Sequence, residues 1–341
     1  MRIGINPTKL DNKINVHFYH RVILPVYIPN LEGYFKDAIQ ILELCFTSLY
    51  RTSSKGTAIT VIDNACCNEA KNYLEKQFAE GRIDQLIVNK INLGKVDPIM
   101  SIVRGCHEAL ITISDSDVLF KNGWLQAVQD VFAHFPKAGM VSSTPGALAF
   151  QDYCASTLWD NKFSSSLKFR QLVDPKDLRM FVESIGRPNM YNQHHYKNQL
   201  SLENNGLFAV VGCGHFVLTC RREAFDLAPK MPSKFLIEGN SEGKYIDQPN
   251  DVGGYWKLGT VKNLTYHMGN IWEPWMDEYF KEVREDRSNE SFHLLASKPT
   301  TVLPYRIKAK LIESLFKIKF LRNIFFKRCG AKFPINEYLR S

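Results

Sequence analysis

Two carboxylates stand two residues apart in Ile113-Ser114-Asp115-Ser116-Asp117, at the end of the apolar run 109–113. Crowded at the mouth of a buried strand, they are costly unless something positive meets them. A hard divalent cation, Mg²⁺ or Mn²⁺, is the natural partner for Asp115 and Asp117, and it would in turn hold phosphate oxygens. Asp-x-Asp alone is a weak signal, equally at home in a solvated turn. Its place after the fourth strand of an alternating strand–helix run gives it weight.

Other groups fall at comparable places. Tyr27 follows the first apolar run, and Asp63-Asn64 ends the second, where an acid can accept from a ribose hydroxyl or a base N–H. Turn chemistry explains Asp63 and Asn64 equally well. Asn92-Leu93-Gly94-Lys95 follows the third run: Gly94 lets the backbone approach a ligand, and Lys95 or the next helix's N-terminus can meet a phosphate. His267, in Tyr266-His267-Met268-Gly269-Asn270, is a candidate metal ligand. Asp247 and Asp251, in KYIDQPNDVGGYW, are alternative general bases, with Asp251 preferred because it sits further into the expected helix. The pairs His194-His195 and Cys66-Cys67 lack zinc-ligand spacing and read as structural.

These residues need a scaffold, and the pattern supplies one. Short β-branched runs at 21–28, 57–64, 83–89, 109–117 and 138–143 read as strands. Helical stripes intervene at 34–50, 67–80, 96–109 and 122–134, the last with Asn122 as expected cap. Strands alternating with helices predict an α/β fold with a mostly parallel central sheet flanked by helices, whose ligands bind outside the carboxyl ends of the strands. Further on, 144–206 is irregular and polar, 205–219 returns to strand character, 248–259 predicts a helix, and 261–270 a strand and turn. No G-x-G-x-x-G and no G-x-x-x-x-G-K-[ST] is present, which argues against ordinary dinucleotide and P-loop sites.

The chain has 341 residues, 45% hydrophobic and 23% charged, the composition of a globular protein with a substantial core. No run of about 18 apolar residues suggests a spanning helix, and the first residues lack the apolar core of a signal peptide. Eight scattered cysteines then suggest reduced thiols and a cytoplasmic location. The net charge of +8 comes from residue 301 onward, where 10 basic residues face 2 acidic ones; the preceding 300 residues are neutral. Within 305–328, Ile307, Leu311, Leu315, Ile318, Leu321 and Phe325 recur at helical spacing among basic residues. This basic amphipathic tail suggests peripheral attachment to an anionic membrane surface, the inner face of the cell membrane, rather than to nucleic acid. Packing of the stripe on the body is the alternative.

The order RVILPVYIPN, ITVIDN, NLGK, ISDSDVLF-KNGW, FPKAGMVS, GCGHFVLTCRREAF and YHMGN resembles the glycosyltransferases of GT-A fold, particularly family-2-like bacterial enzymes, over about residues 20–270. The Asp-x-Asp followed by Gly123-Trp124 is its most specific element. The resemblance implies a GT-A, Rossmann-like catalytic domain over 1–299, with a nucleotide-binding half at about 20–143 and an acceptor half at about 144–299, followed by the basic helical tail at 300–341. It also implies a nucleotide-sugar donor, most commonly a UDP-sugar, a divalent metal, and inverting transfer to a hydroxyl of a glycan or lipid-linked acceptor in bacterial surface-polysaccharide synthesis. Carried over, Pro25 and Tyr27 line the nucleotide, Asp63 binds the base and Asp115 lies near the ribose. Asp117 then holds the metal, and His267 is a late metal or phosphate contact. The family's paired acids at the catalytic base are missing from YIDQPNDVGGYW, which leaves Asp247 and Asp251 as alternatives. A nucleotidyltransferase, or a non-catalytic membrane-associated scaffold, is the competing expectation.

Overall fold

The computed structural model describes residues 4–6, 9, 14–237, 239–288, 292–295, 299 and 303–339. The boundary expected at 299/300 falls beside residues outside these. Twelve strands form: β1 (His20–Val26), β2 (Thr57–Asn64), β3 (Gln85–Asn89), β4 (Leu110–Ser114), β5 (Val118–Phe120), β6 (Ala138–Ser142), β7 (Lys168–Arg170), β8 (Gln199–Asn204), β9 (Leu207–Val211), β10 (Val217–Arg221), β11 (Trp256–Gly259) and β12 (Thr265–His267). Ten of them build one sheet in the order β3-β2-β1-β4-β10-β6-β11-β9-β8-β7, and β12 pairs with β5 apart from it. Strands β1 to β4, β6, β8 and β11 run one way and β7, β9 and β10 the other, so the sheet is mostly parallel in direction.

The continuous apolar runs have a simple cause. Val22, Leu24 and Val26 of β1 face one core together with Ile41, Leu42 and Phe46 of the helix Ala38–Thr52. Ile23 faces the other core with Ile62, Ile113 and the apolar side of the helix Val96–Val103. A strand covered by helices on both faces has no polar side to show. The parallel register sets Val26 beside Asp63 and Ile23 beside Ile113, so the carboxyl ends of β1, β2 and β4 open onto one edge of the sheet.

Later elements depart from the expected pattern. The strand character expected at 205–219 resolves into two strands, β9 and β10, separated by a break that opens at Gly212, whose φ of +108° suits glycine. The helix expected at 248–259 is only a short helix (Gln248–Val252), which continues a π-turn (Gly243–Asp247) and gives way to β11. Asn122 does not cap the helix Trp124–His134; its amide clasps the backbone of Arg284 through two hydrogen bonds of 2.9 Å.

The basic C-terminal residues form helices Tyr305–Lys317, Lys319–Arg328 and Ile335–Tyr338. These share the main core: Phe326 stacks on Phe169 at 5.5 Å, and Tyr338 is fully buried and donates to the Asn198 carbonyl at 2.5 Å. Among the described residues no helix is long and apolar enough to cross a membrane.

His20, at the start of β1, is fully buried between Thr57 (3.0 Å) and Thr112 (2.7 Å), and burial lowers its pKa to about 3. Only the unfolded chain binds this proton below pH 6.5, so stability falls as pH drops from there toward 3. The slope is up to about 1.4 kcal/mol per unit. Urea midpoints of His20→Gln should be lower than wild type at pH 7.5 and lose less on moving to pH 5.

Candidate active site

Asp115 and Asp117 follow β4 directly, and the two-stranded β5–β12 ladder brings the third group. Its register sets His267 opposite Val118, and the Met268 N–H donates to the Asp117 carbonyl at 2.8 Å. His267 Nε2 therefore lies 3.5 Å from Asp117 Oδ2, and ligand atoms of Asp115, Asp117 and His267 all fall within 4.8 Å of one another. Asp117 Oδ1 and His267 Nδ1 are buried with no hydrogen-bond partner among the described residues. Burial raises the Asp117 carboxyl above its ordinary value; His267 opposes this and Asp115 adds to it. Unpaired buried acceptors of this kind are the expected signature of a site that binds a cation. Two carboxylates and an imidazole suit Mn²⁺, and Mg²⁺ through the oxygens.

The cluster borders a cavity of about 380 Å³ at the carboxyl edge of the sheet, within the range of small-molecule sites. Pro25, Tyr27, Asn64, Gly94, Lys95, Asp115 and Asp117 all line it. Part of its lining is aromatic: Phe35 meets Tyr27 and Tyr34 edge-on at 6.0 and 5.1 Å, and both tyrosines are exposed. Tyr34 and Phe35 escaped sequence reading because they sat inside a helical stripe; a 3₁₀ turn (Gly33–Phe35) turns them to the cavity.

Asn64 organises the neighbouring loop. Its amide donates to Asn92 Oδ1 (2.9 Å) and the Gly94 carbonyl (3.0 Å), and accepts from the Leu93 N–H (3.1 Å). At Gly94 (φ +78°) a Cβ would sit 2.6 Å from the Leu236 carbonyl oxygen, so glycine is required twice over. Lys95 Nζ lies 2.5 Å from Asp115 Oδ1 and 2.7 Å from Glu242 Oε1. Burial disfavours the Lys95 ammonium, but Asp115 and Glu242 outweigh it and hold its pKa above the ordinary lysine value.

Three expected site residues are placed elsewhere. Asp63 is buried off the cavity wall and accepts from the Cys66 N–H at 2.8 Å, a turn role. Asp251 is fully buried: Oδ2 accepts from Ala155 N–H (3.0 Å) and Oδ1 from Ser156 N–H (2.7 Å), at the start of the helix Ala155–Asn161. Asp247 is likewise buried, with Lys257 Nζ 2.5 Å from Oδ1 and His215 Nε2 2.6 Å from Oδ2. Neither carboxylate reaches the cavity, because each neutralises an internal donor. Glu242, which the sequence did not single out, is also outside the cavity lining, but it touches the cluster through Lys95. It sits one residue before the π-turn, in a polar stretch with no paired acid to mark it. Asp251→Ala should lower stability by about 2–3 kcal/mol, since two buried N–H groups lose a charged acceptor. Its urea midpoint is expected to drop while nucleotide affinity measured on the folded protein stays within about twofold of wild type.

No protein-family model matches the chain, and no curated protein matches it in sequence. Among the solved structures similar to it is S. aureus TarS 1–349 in complex with UDP-GlcNAc, at 15% identity over 37% of this chain and 34% of that one, with a TM-score of 0.30. Another is the mannosyltransferase PcManGT from Pyrobaculum calidifontis in complex with GDP-Man and Mn²⁺, at 12% identity over 92% of this chain and 86% of that one, with a TM-score of 0.41. TarS 1–349 in complex with UDP matches at 12% identity over 94% and 77%, with a TM-score of 0.42. The match to TarS 1–349 with UDP-GlcNAc spans only 34% of that chain, and a further match, to S. aureus TarS at 16% identity and a TM-score of 0.30, covers 39% of this chain and only 24% of that one. At this distance the chemistry of the site rests on the residues themselves.

Proposed function

We propose that this chain is a metal-dependent glycosyltransferase of GT-A type. It would move a sugar from a nucleotide-sugar, with UDP-sugars the first candidates, to a hydroxyl of a glycan or lipid-linked acceptor in surface-polysaccharide assembly. The observation that carries the reading is the Asp115–Asp117–His267 cluster, with its unpaired buried polar atoms, beside a cavity with a partly aromatic lining.

Each part then has a task. Tyr27, Tyr34 and Phe35 offer ring faces and edges to a base. Asp115, Asp117 and His267 would hold Mn²⁺ or Mg²⁺, which when bound there neutralises charge on a diphosphate leaving group. Lys95 keeps a cation beside Asp115 and is positioned to meet phosphate oxygens. Glu242 is the proposed proton acceptor for the attacking hydroxyl, in place of Asp247 and Asp251. One base with no protein nucleophile corresponds to single displacement and inversion at the sugar carbon.

The test is release of nucleoside diphosphate from a panel of nucleotide-sugars with Mn²⁺, beginning with UDP-GlcNAc and GDP-Man. Metal-dependent release from one donor class supports the reading. Nucleotide binding without release from any donor would favour a non-catalytic protein, and pyrophosphate release from nucleoside triphosphates would favour a nucleotidyltransferase.

A further inference from the structure

We infer that the helices Tyr305–Lys317 and Lys319–Arg328 form a docking surface for an anionic lipid bilayer. The inference does not depend on the reaction proposed above. Both helices are fixed to the body by one face: Ile312, Phe325 and Phe326 are buried, and Lys308 is buried 3.9 Å from Asp160. That face differs from the stripe read in the sequence, because Phe325 turns inward. Leu315 of the stripe is half-buried against the core, whereas Ile307, Leu311, Ile318 and Leu321 are exposed, as are Phe320, by 71%, and Ile324 outside the stripe. An outer helical face normally carries polar residues. Here six large apolar side chains share it with exposed Arg306, Lys310, Lys319 and Lys327. Glu313 is the only acid in 303–328, and it is paired to Lys317 at 2.5 Å. The patch runs on to exposed Phe163, whose carbonyl accepts from Arg328 at 2.6 Å.

Charge selects the occupant. A second copy seated face to face would set these cations against one another. A layer of anionic headgroups over acyl chains meets both features, with cations at the phosphates and the isoleucine, leucine and phenylalanine side chains in the boundary. The tethered helices place the patch without the ordering cost of a free tail.

The full-length protein is tested by co-sedimentation with phosphatidylglycerol/phosphatidylcholine vesicles and with phosphatidylcholine alone, at low and high salt. The comparison includes F320S/I324S and R306Q/K310Q/K319Q, both at exposed positions. Wild type should partition onto the anionic vesicles at low salt and leave them at high salt. Each variant should bind about tenfold or more weakly while keeping the wild-type circular dichroism spectrum. No binding to anionic vesicles at low salt, equal binding to neutral ones, or undiminished binding by both variants would overturn the inference. So would a stable dimer in analytical ultracentrifugation that F320S/I324S dissociates.

Discussion

Asp117→Asn is expected to abolish metal-dependent nucleotide binding. Asp117 brings to the cluster a half-buried carboxylate, one oxygen of which is buried and unpaired among the described residues, 3.5 Å from His267. A neutral amide of the same shape keeps the packing but removes a charged ligand from a hard cation. Changing a group that merely orients a metal ligand costs about 10–100-fold in affinity, so loss of a direct ligand should cost at least the upper figure. The substitution also relieves repulsion between two neighbouring half-buried carboxylates, and folding stability in the absence of metal should rise or stay level. This opposite response separates a metal site from a structural one. Calorimetric titration of Mn²⁺ and thermal melts of the metal-free proteins read the two effects. A variant less stable than wild type without metal, with unchanged Mn²⁺ affinity, would contradict the assignment.

Glu242→Gln should reduce sugar transfer by about 10²–10⁴-fold, the usual cost of losing a general base, while leaving the donor bound. Glu242 touches the cluster only through Lys95, so the amide leaves Lys95 paired with Asp115 and the cavity wall in place. Activity with an acceptor should collapse in kcat, with little change in KM for the donor. The same assay on Asp251→Ala separates the alternatives. Its carboxylate holds two backbone N–H groups inside the protein, so the folded fraction should turn over at a rate near wild type. A collapse of kcat in Asp251→Ala with a normal rate in Glu242→Gln would return the base to its sequence-expected position.

The cavity was largely legible because its residues follow buried strands. Apolar runs on β1, β2 and β4 announce themselves, and whatever polar residue follows them must stand at the sheet's carboxyl edge; Tyr27, Asn64, Asp115 and Asp117 do. Asp63 fails the same inference by one residue: a turn bond to Cys66 draws it inward. The burial of Asp247 and Asp251 was not legible from spacing. Whether Asp247 faces a cleft or the interior depends on Lys257, which is buried because its segment is a strand rather than the expected helix. Asp251 depends on where the helix Ala155–Asn161 starts, in a stretch whose polar composition gave no periodic signal. Both are decided by tertiary partners, ten residues on for Asp247 and nearly a hundred residues back for Asp251. Glu242 gains its place in the same way, through contact with Lys95.

The most direct measurement is a calorimetric titration of UDP and GDP into the wild-type protein, with Mn²⁺ and again after chelation with EDTA. Binding of one nucleotide with Mn²⁺, lost on chelation and lost in both Asp117→Asn and His267→Ala, is the expected result. Binding of equal affinity with and without the metal, or of neither nucleotide under any condition, would contradict a metal-dependent nucleotide-sugar site at Asp115, Asp117 and His267.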